Sequence, residues 1–168
     1  MKVRLSKRDM LEAELMARDT VFMLEKLSVS PRLENKNQSR LDANIFGFMA
    51  EFAVCRVLGA EPPRLNFATD GGVDLWLGDV TIDVKYTSRK TSKLIFDSVG
   101  KFKSQVAILV TATDNMDVME ILGWCSKGRF IEDSYGKDFG YGERLVMDAD
   151  KLQPIEQFWL KYTQSKFL

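Results

Sequence analysis

The run Val73-Asp74-Leu75-Trp76-Leu77-Gly78-Asp79-Val80-Thr81-Ile82-Asp83-Val84-Lys85-Tyr86 decides how this chain folds. Val73 to Leu77 and Val80 to Tyr86 alternate apolar and polar residues, the pattern of a half-buried strand. Gly78-Asp79 lies between them, and glycine at the first central position suits a type II′ hairpin turn. Such a turn sets Leu77 opposite Val80, Trp76 opposite Thr81, Leu75 opposite Ile82 and Asp74 opposite Asp83. Alternation then sends Leu75, Leu77, Val80, Ile82 and Val84 to one face, a coherent core surface. Asp74, Trp76, Thr81, Asp83 and Lys85 take the other. Carboxylates directly opposite each other stand about 4.5–5.5 Å apart at Cβ and repel, and aspartate is a poor strand residue. Folding does not ask for this pair. A divalent cation accounts for it, because Mg²⁺ is held by one or two carboxylates together with water and phosphate oxygens.

Upstream, Leu41 to Leu58 reads as a helix with Asp42 as N-cap and Gly59 as its stop, and Pro62-Pro63 forbids continuation. It is apolar nearly all round, so its neighbours bury it. Glu51 shares a stripe with Gly47, Phe48, Val54, Cys55 and Leu58, an anomalous place for a carboxylate. Before it, Arg8 to Leu27 has the stripe Met10, Ala13, Ala17, Val21 and Leu24, with Ser6 and Asp9 as a capping pair. That helix has two uses open to it, packing on the core or forming a homodimer contact. Ser28 to Ser39, with Pro31, is a polar loop.

Downstream, Lys93 to Phe96 reads as a short strand and Gln105 to Thr113 as a buried central one. Val118 to Trp124 is a further strand, ended by Gly123 and the loop Ser126-Lys127-Gly128. Phe130 to Glu143 shows no periodicity. Arg144 to Met147 is a last short strand, and Pro154 opens a terminal helix. The expectation is one α/β domain around one central sheet, with residues 1–39 as helix and polar loop and 40–168 as the core.

Composition narrows the chemistry. The 168 residues suffice for one core, and Lys+Arg and Asp+Glu balance at 24 each, so binding to nucleic acid requires a local patch. With no histidine, Ser-His-Asp and Cys-His catalysis, His-bound zinc and two-His-one-carboxylate iron are excluded. Cys55 and Cys125 read as buried hydrophobes. No targeting or membrane-spanning run is visible, so the expectation is a cytoplasmic protein without membrane contact.

Glu51 on a helix, then Asp74, then Asp83-Val84-Lys85 resembles the PD-(D/E)xK nuclease superfamily over roughly Gly47 to Tyr86. Val73 stands where the motif name has proline. The resemblance implies a restriction-endonuclease-like core: a central mixed β-sheet flanked by helices, here with an extra N-terminal helix and a C-terminal helix. It implies a Mg²⁺-dependent nuclease, with Mn²⁺ substituting, that hydrolyses DNA phosphodiester bonds, expected as an endonuclease. Asp74 and Asp83 would bind the ion with the Val84 carbonyl, Glu51 would bind it or a second ion through water, and Lys85 would hold the attacking water. The alternatives are a nuclease resembling Holliday-junction resolvases, for which a homodimer is expected, and an inactive DNA-binding module of the same fold.

A basic stretch follows the motif. Lys85, Arg89, Lys90, Lys93, Lys101 and Lys103 face one acid, Asp97, and Thr87, Ser88, Thr91 and Ser92 add hydroxyls. Thr87, Ser88, Arg89, Lys90 and Lys93 are the candidate phosphate contacts. Tyr135, Phe139 and Tyr141 either stack on bases or cover the core, the second being favoured. Gly123 to Arg129 has phosphate-loop glycine spacing, but Arg129-Phe130 stands where lysine and a hydroxyl residue belong, so it fails the motif.

Overall fold

The structure, a computed structural model, describes residues 1–27, 39–63, 72–87, 92–140 and 142–162. In chain order the elements are β1 (Lys2–Arg4), α1 (Lys7–Lys26), α2 (Arg40–Leu58), β2 (Leu75–Leu77), β3 (Val80–Thr87), β4 (Lys93–Phe96), β5 (Val106–Ala112), β6 (Val118–Ser126), α3 (Lys127–Asp133), β7 (Tyr135–Asp138), β8 (Glu143–Asp148) and α4 (Glu156–Tyr162).

The β2–β3 hairpin has the expected register, Leu77↔Val80, Trp76↔Thr81 and Leu75↔Ile82. Gly78 has φ +60° and Asp79 does not share its positive φ, as a type II′ turn requires. The hairpin forms one edge of a five-stranded sheet ordered β1-β6-β5-β3-β2. β3 pairs with β5 in parallel, while the other neighbours are antiparallel. A parallel pair needs a long crossover. Here the crossover contributes β4, which leaves the sheet and joins a second, three-stranded antiparallel sheet ordered β4-β8-β7.

The alternation along β5 divides the interior. Val106, Ile108 and Val110 join α2 residues such as Phe52 and Val54, Ala13 and Met16 of α1, and Phe158 of α4 in one core. Ala107 and Leu109 point the other way and pack with Leu94 and Phe96 of β4, Met147 of β8 and Phe130 of α3. The molecule is therefore mixed α/β, with helices on one face of a mixed sheet and a small sheet plus a short helix on the other. The expectation of a single sheet is corrected: the strand at Lys93–Phe96 exists, but its partner is β8. Local periodicity carries no information about which distant strand completes a ladder.

Several boundaries also differ from expectation. The α1 cap is a reciprocal box, Ser6 Oγ accepting from Asp9 N–H at 3.2 Å and Asp9 Oδ2 accepting from Ser6 N–H at 2.8 Å. In α2 the cap is Ser39, whose Oγ accepts from Asp42 N–H at 3.0 Å. Asp42 is three residues into the same motif, where acids favour the helix dipole. Gly59 does end α2, in the left-handed conformation. Strand β6 does not stop at Gly123. That residue has φ +153°, and a Cβ there would lie 2.7 Å from the Gln153 carbonyl oxygen, so the glycine permits a close approach rather than a turn. The expected loop at Ser126-Lys127-Gly128 is the start of α3, capped by Ser126. Both cysteines are buried and free. Among the described residues no helix is long and apolar enough to cross a membrane.

Candidate active site

Three contacts place the hairpin. Ser104 Oγ donates to the Gly72 carbonyl at 2.8 Å, anchoring the chain that leads into β2. The Gln105 side-chain oxygen accepts from Thr81 N–H at 2.9 Å, and Gln105 N–H donates to Thr81 Oγ1 at 2.9 Å. The start of β3 is thus tied to the start of β5.

Asp74 immediately precedes β2. Its N–H donates to the Ile82 carbonyl at 2.9 Å, and its Oδ2 accepts from Val84 N–H at 2.6 Å. β2 has only three residues, so the carboxylate serves this amide where the ladder is ending. A buried amide left without an acceptor is costly, and this gives Asp74 a role in folding that the strand pattern does not reveal. Within a strand, one residue's N–H and C=O point to the same side, so the Val84 carbonyl opens on this edge too.

Asp83 and Lys85 point to the face of β3 opposite Ile82 and Val84, the face covered by the second sheet. The Asp83 side chain is only 2% exposed, and its Oδ1 lies 2.6 Å from Lys85 Nζ. Lys85 is 39% exposed, with Nζ 5.2 Å from the Phe96 ring centroid, a cation–π contact. Phe96 was not a candidate from sequence; the apolar alternation of Leu94 and Phe96 is the signal that places it under the sheet. Thus Asp83 has a partner within the fold, as Asp74 has in the Val84 amide.

Glu51 is half-buried on α2, which packs on the Ile82–Val84 face. Burial, reinforced by the Glu51 charge, pushes the Cys55 thiol up to about 12, so Cys55 is not a nucleophile. Among the described residues no group of three or more acidic, cysteine or histidine side chains is disposed to hold a metal ion. The structure therefore brings Asp74, Asp83, Val84 and Lys85 to one end of the hairpin without gathering Glu51 and the two aspartates into a three-carboxylate cluster. Carboxylate and carbonyl oxygens of the kind Asp74, Asp83 and Val84 carry are the donors that suit a hard cation completing its shell with water and phosphate.

Of the candidate phosphate contacts, Ser88, Arg89 and Lys90 lie outside the described residues, as do Thr91 and Tyr141. Thr87 is buried at the end of β3. Lys93 Nζ pairs with the Asp148 carboxylate and donates to Tyr135 Oη at 3.0 Å. Asp148, then Tyr135, holds the Lys93 ammonium above its ordinary pKa, and Lys93 holds Asp148 below the usual carboxylate range. Tyr135 thus braces the second sheet.

No protein-family model, curated protein or solved structure matches the chain.

Proposed function

We propose that this chain is a metal-dependent nuclease that hydrolyses DNA phosphodiester bonds, with internal cutting expected. The observation that carries the reading is the Asp83–Lys85 pair, a carboxylate buried to 2% exposure with an ammonium 2.6 Å away, with Asp74 just before the paired strand β2. An ion pair in this position adds little net stability, because desolvating the charges offsets their attraction. A strand that needed only to fold would be served as well by apolar residues.

Asp74, Asp83 and the Val84 carbonyl are the residues that would hold Mg²⁺ or Mn²⁺. When bound, such an ion neutralises charge on the scissile phosphate and its leaving oxygen. Lys85 has the exposure to exchange its bond with Asp83 for one to the attacking water. There its charge favours hydroxide over water. Asp74 keeps Val84 in place through the 2.6 Å bond to its N–H, so the carbonyl and carboxylate stay on one edge. That Glu51 and the two aspartates do not form a metal-holding group favours a second reading: an inactive DNA-binding module of the same fold.

Incubation with single-stranded, duplex and four-way-junction DNA and either ion separates these readings. Cleavage that chelator abolishes, and that falls at least a hundredfold in Asp74→Ala, Asp83→Ala and Lys85→Ala, supports the proposal; preference for junctions narrows it to a resolvase-like enzyme. DNA binding without cleavage under either ion supports the module. Cleavage indifferent to all three substitutions rejects this site.

A further inference from the structure

Helix α1 carries two apolar stripes where a surface helix needs one. The inner stripe, Ala13, Met16 and Ala17, is buried against α2 and the sheet. At about 100° per residue, Leu11, Leu15 and Phe22 fall within roughly 40° of one another on the opposite side. They are 58%, 53% and 56% exposed. Core packing therefore does not account for Leu11, Leu15 and Phe22, which face outward.

We infer that this outer face binds a second copy of the chain, with α1 packed antiparallel on α1 of the partner. The outward positions Arg8, Leu11, Leu15, Arg18, Phe22 and Glu25 are spaced alternately by three and four residues, the spacing of a helix–helix seam. Their charges are complementary to themselves only when the direction is reversed. An antiparallel pair centred between Leu15 and Arg18 sets Leu11 against Phe22 of the partner subunit and Arg8 against Glu25 of the partner subunit. Two-fold symmetry repeats both contacts. A parallel pair would set Arg8 beside Arg8 and Glu25 beside Glu25. Within one copy Arg8 pairs with Glu12 at 2.7 Å, in an exposed pair one turn away, which a closer partner readily displaces. Arg18, bonded to Glu14 at 2.6 Å, lays its methylenes over Leu15 of the partner subunit. A lipid surface fits less well, because Arg8, Arg18 and Lys26 around the stripe are matched by Glu12, Glu14 and Glu25, without the cationic excess that anionic headgroups select.

Sedimentation equilibrium of the full chain over a range of concentrations tests this. The expected result is a reversible monomer–dimer equilibrium that the pair Leu11→Glu and Leu15→Glu converts to monomer, with helix content unchanged because both side chains lie at the surface. Arg8→Glu and Glu25→Arg should each weaken the dimer about tenfold, and together restore it to near the original strength. A monomer at every concentration, including one that instead sediments with anionic phosphatidylserine vesicles, overturns the inference. So does a dimer untouched by the Leu11 and Leu15 substitutions, or a double charge reversal no stronger than either single one.

Discussion

Asp83 and Lys85 stand two residues apart on one strand face, a spacing that brings an ammonium to 2.6 Å from a buried carboxylate. Removing either partner is not equivalent to removing the other. Lys85→Met takes the cation from beside a carboxylate that cannot reach water, and should destabilise by about 3 kcal/mol. Asp83→Asn keeps the shape and leaves a lysine that can turn to solvent, and should cost about 1 kcal/mol or less. The double variant should lose clearly less than the sum of the two single losses, and urea unfolding of all four proteins measures that coupling. Neither aspartate's orientation was legible in sequence. Period-2 alternation assigns Asp74 and Asp83 to one face, but it is silent on whether a carboxylate meets its opposite number, a lysine or a backbone amide. The amide of Val84 takes Asp74 because β2 is too short to offer it a carbonyl, a fact about ladder length rather than residue type.

At the scale of elements, the join between α1 and α2 rests on Asp9. Its Oδ2 accepts from Arg56 Nε at 2.7 Å and its Oδ1 from an Arg56 terminal nitrogen at 2.8 Å, while it also caps Ser6. The Arg56 guanidinium, with the Ser6 bonds, holds the Asp9 carboxyl below the usual carboxylate range. A carboxyl whose folded pKa is lowered adds stability above its unfolded value of about 3.9 and loses it as pH falls through the folded one. Asp9→Asn should therefore cost about 1–2 kcal/mol at neutral pH, and the Tm gap to the parent should close in acid below about pH 3.9. Thermal melts from pH 7 to pH 2 check this; a gap that widens in acid refutes it. The Ser6–Asp9 cap of α1 and the Gly59 stop of α2 were readable because capping residues and apolar periodicity act locally, whereas the α2 cap lies at Ser39 instead of Asp42. The seven residues of α3 were not, since two turns are too few to show a period. Gly123 misled for a related reason: a glycine demanded by a neighbouring chain looks the same in sequence as one demanded by a turn.

Across the whole molecule, two cores lie on opposite faces of the same strands, and β5 and β6 supply residues to both. Phe130 is fully buried and meets Phe96 and Phe102 edge-on, with centroids 5.1 and 5.5 Å away. Phe130→Ala should cost about 3–5 kcal/mol. Because the cores share strands, the loss should appear as one earlier cooperative transition, with fluorescence of the buried Trp124 in the other core following the same curve. Two separated transitions would show that the cores stand independently. The fold class was legible from the order and period of the elements, whereas the second sheet was not, because β4 meets β8 across roughly fifty residues of intervening chain. That long reach has a consequence for synthesis. A nascent chain that has not yet extruded Glu143–Asp148 has no strand to hold β4 over the acidic side of β3. Asp83 and Lys85 then lie open to water on a half-built sheet, so the site proposed to cut DNA is covered only once Glu143–Asp148 has left the ribosome.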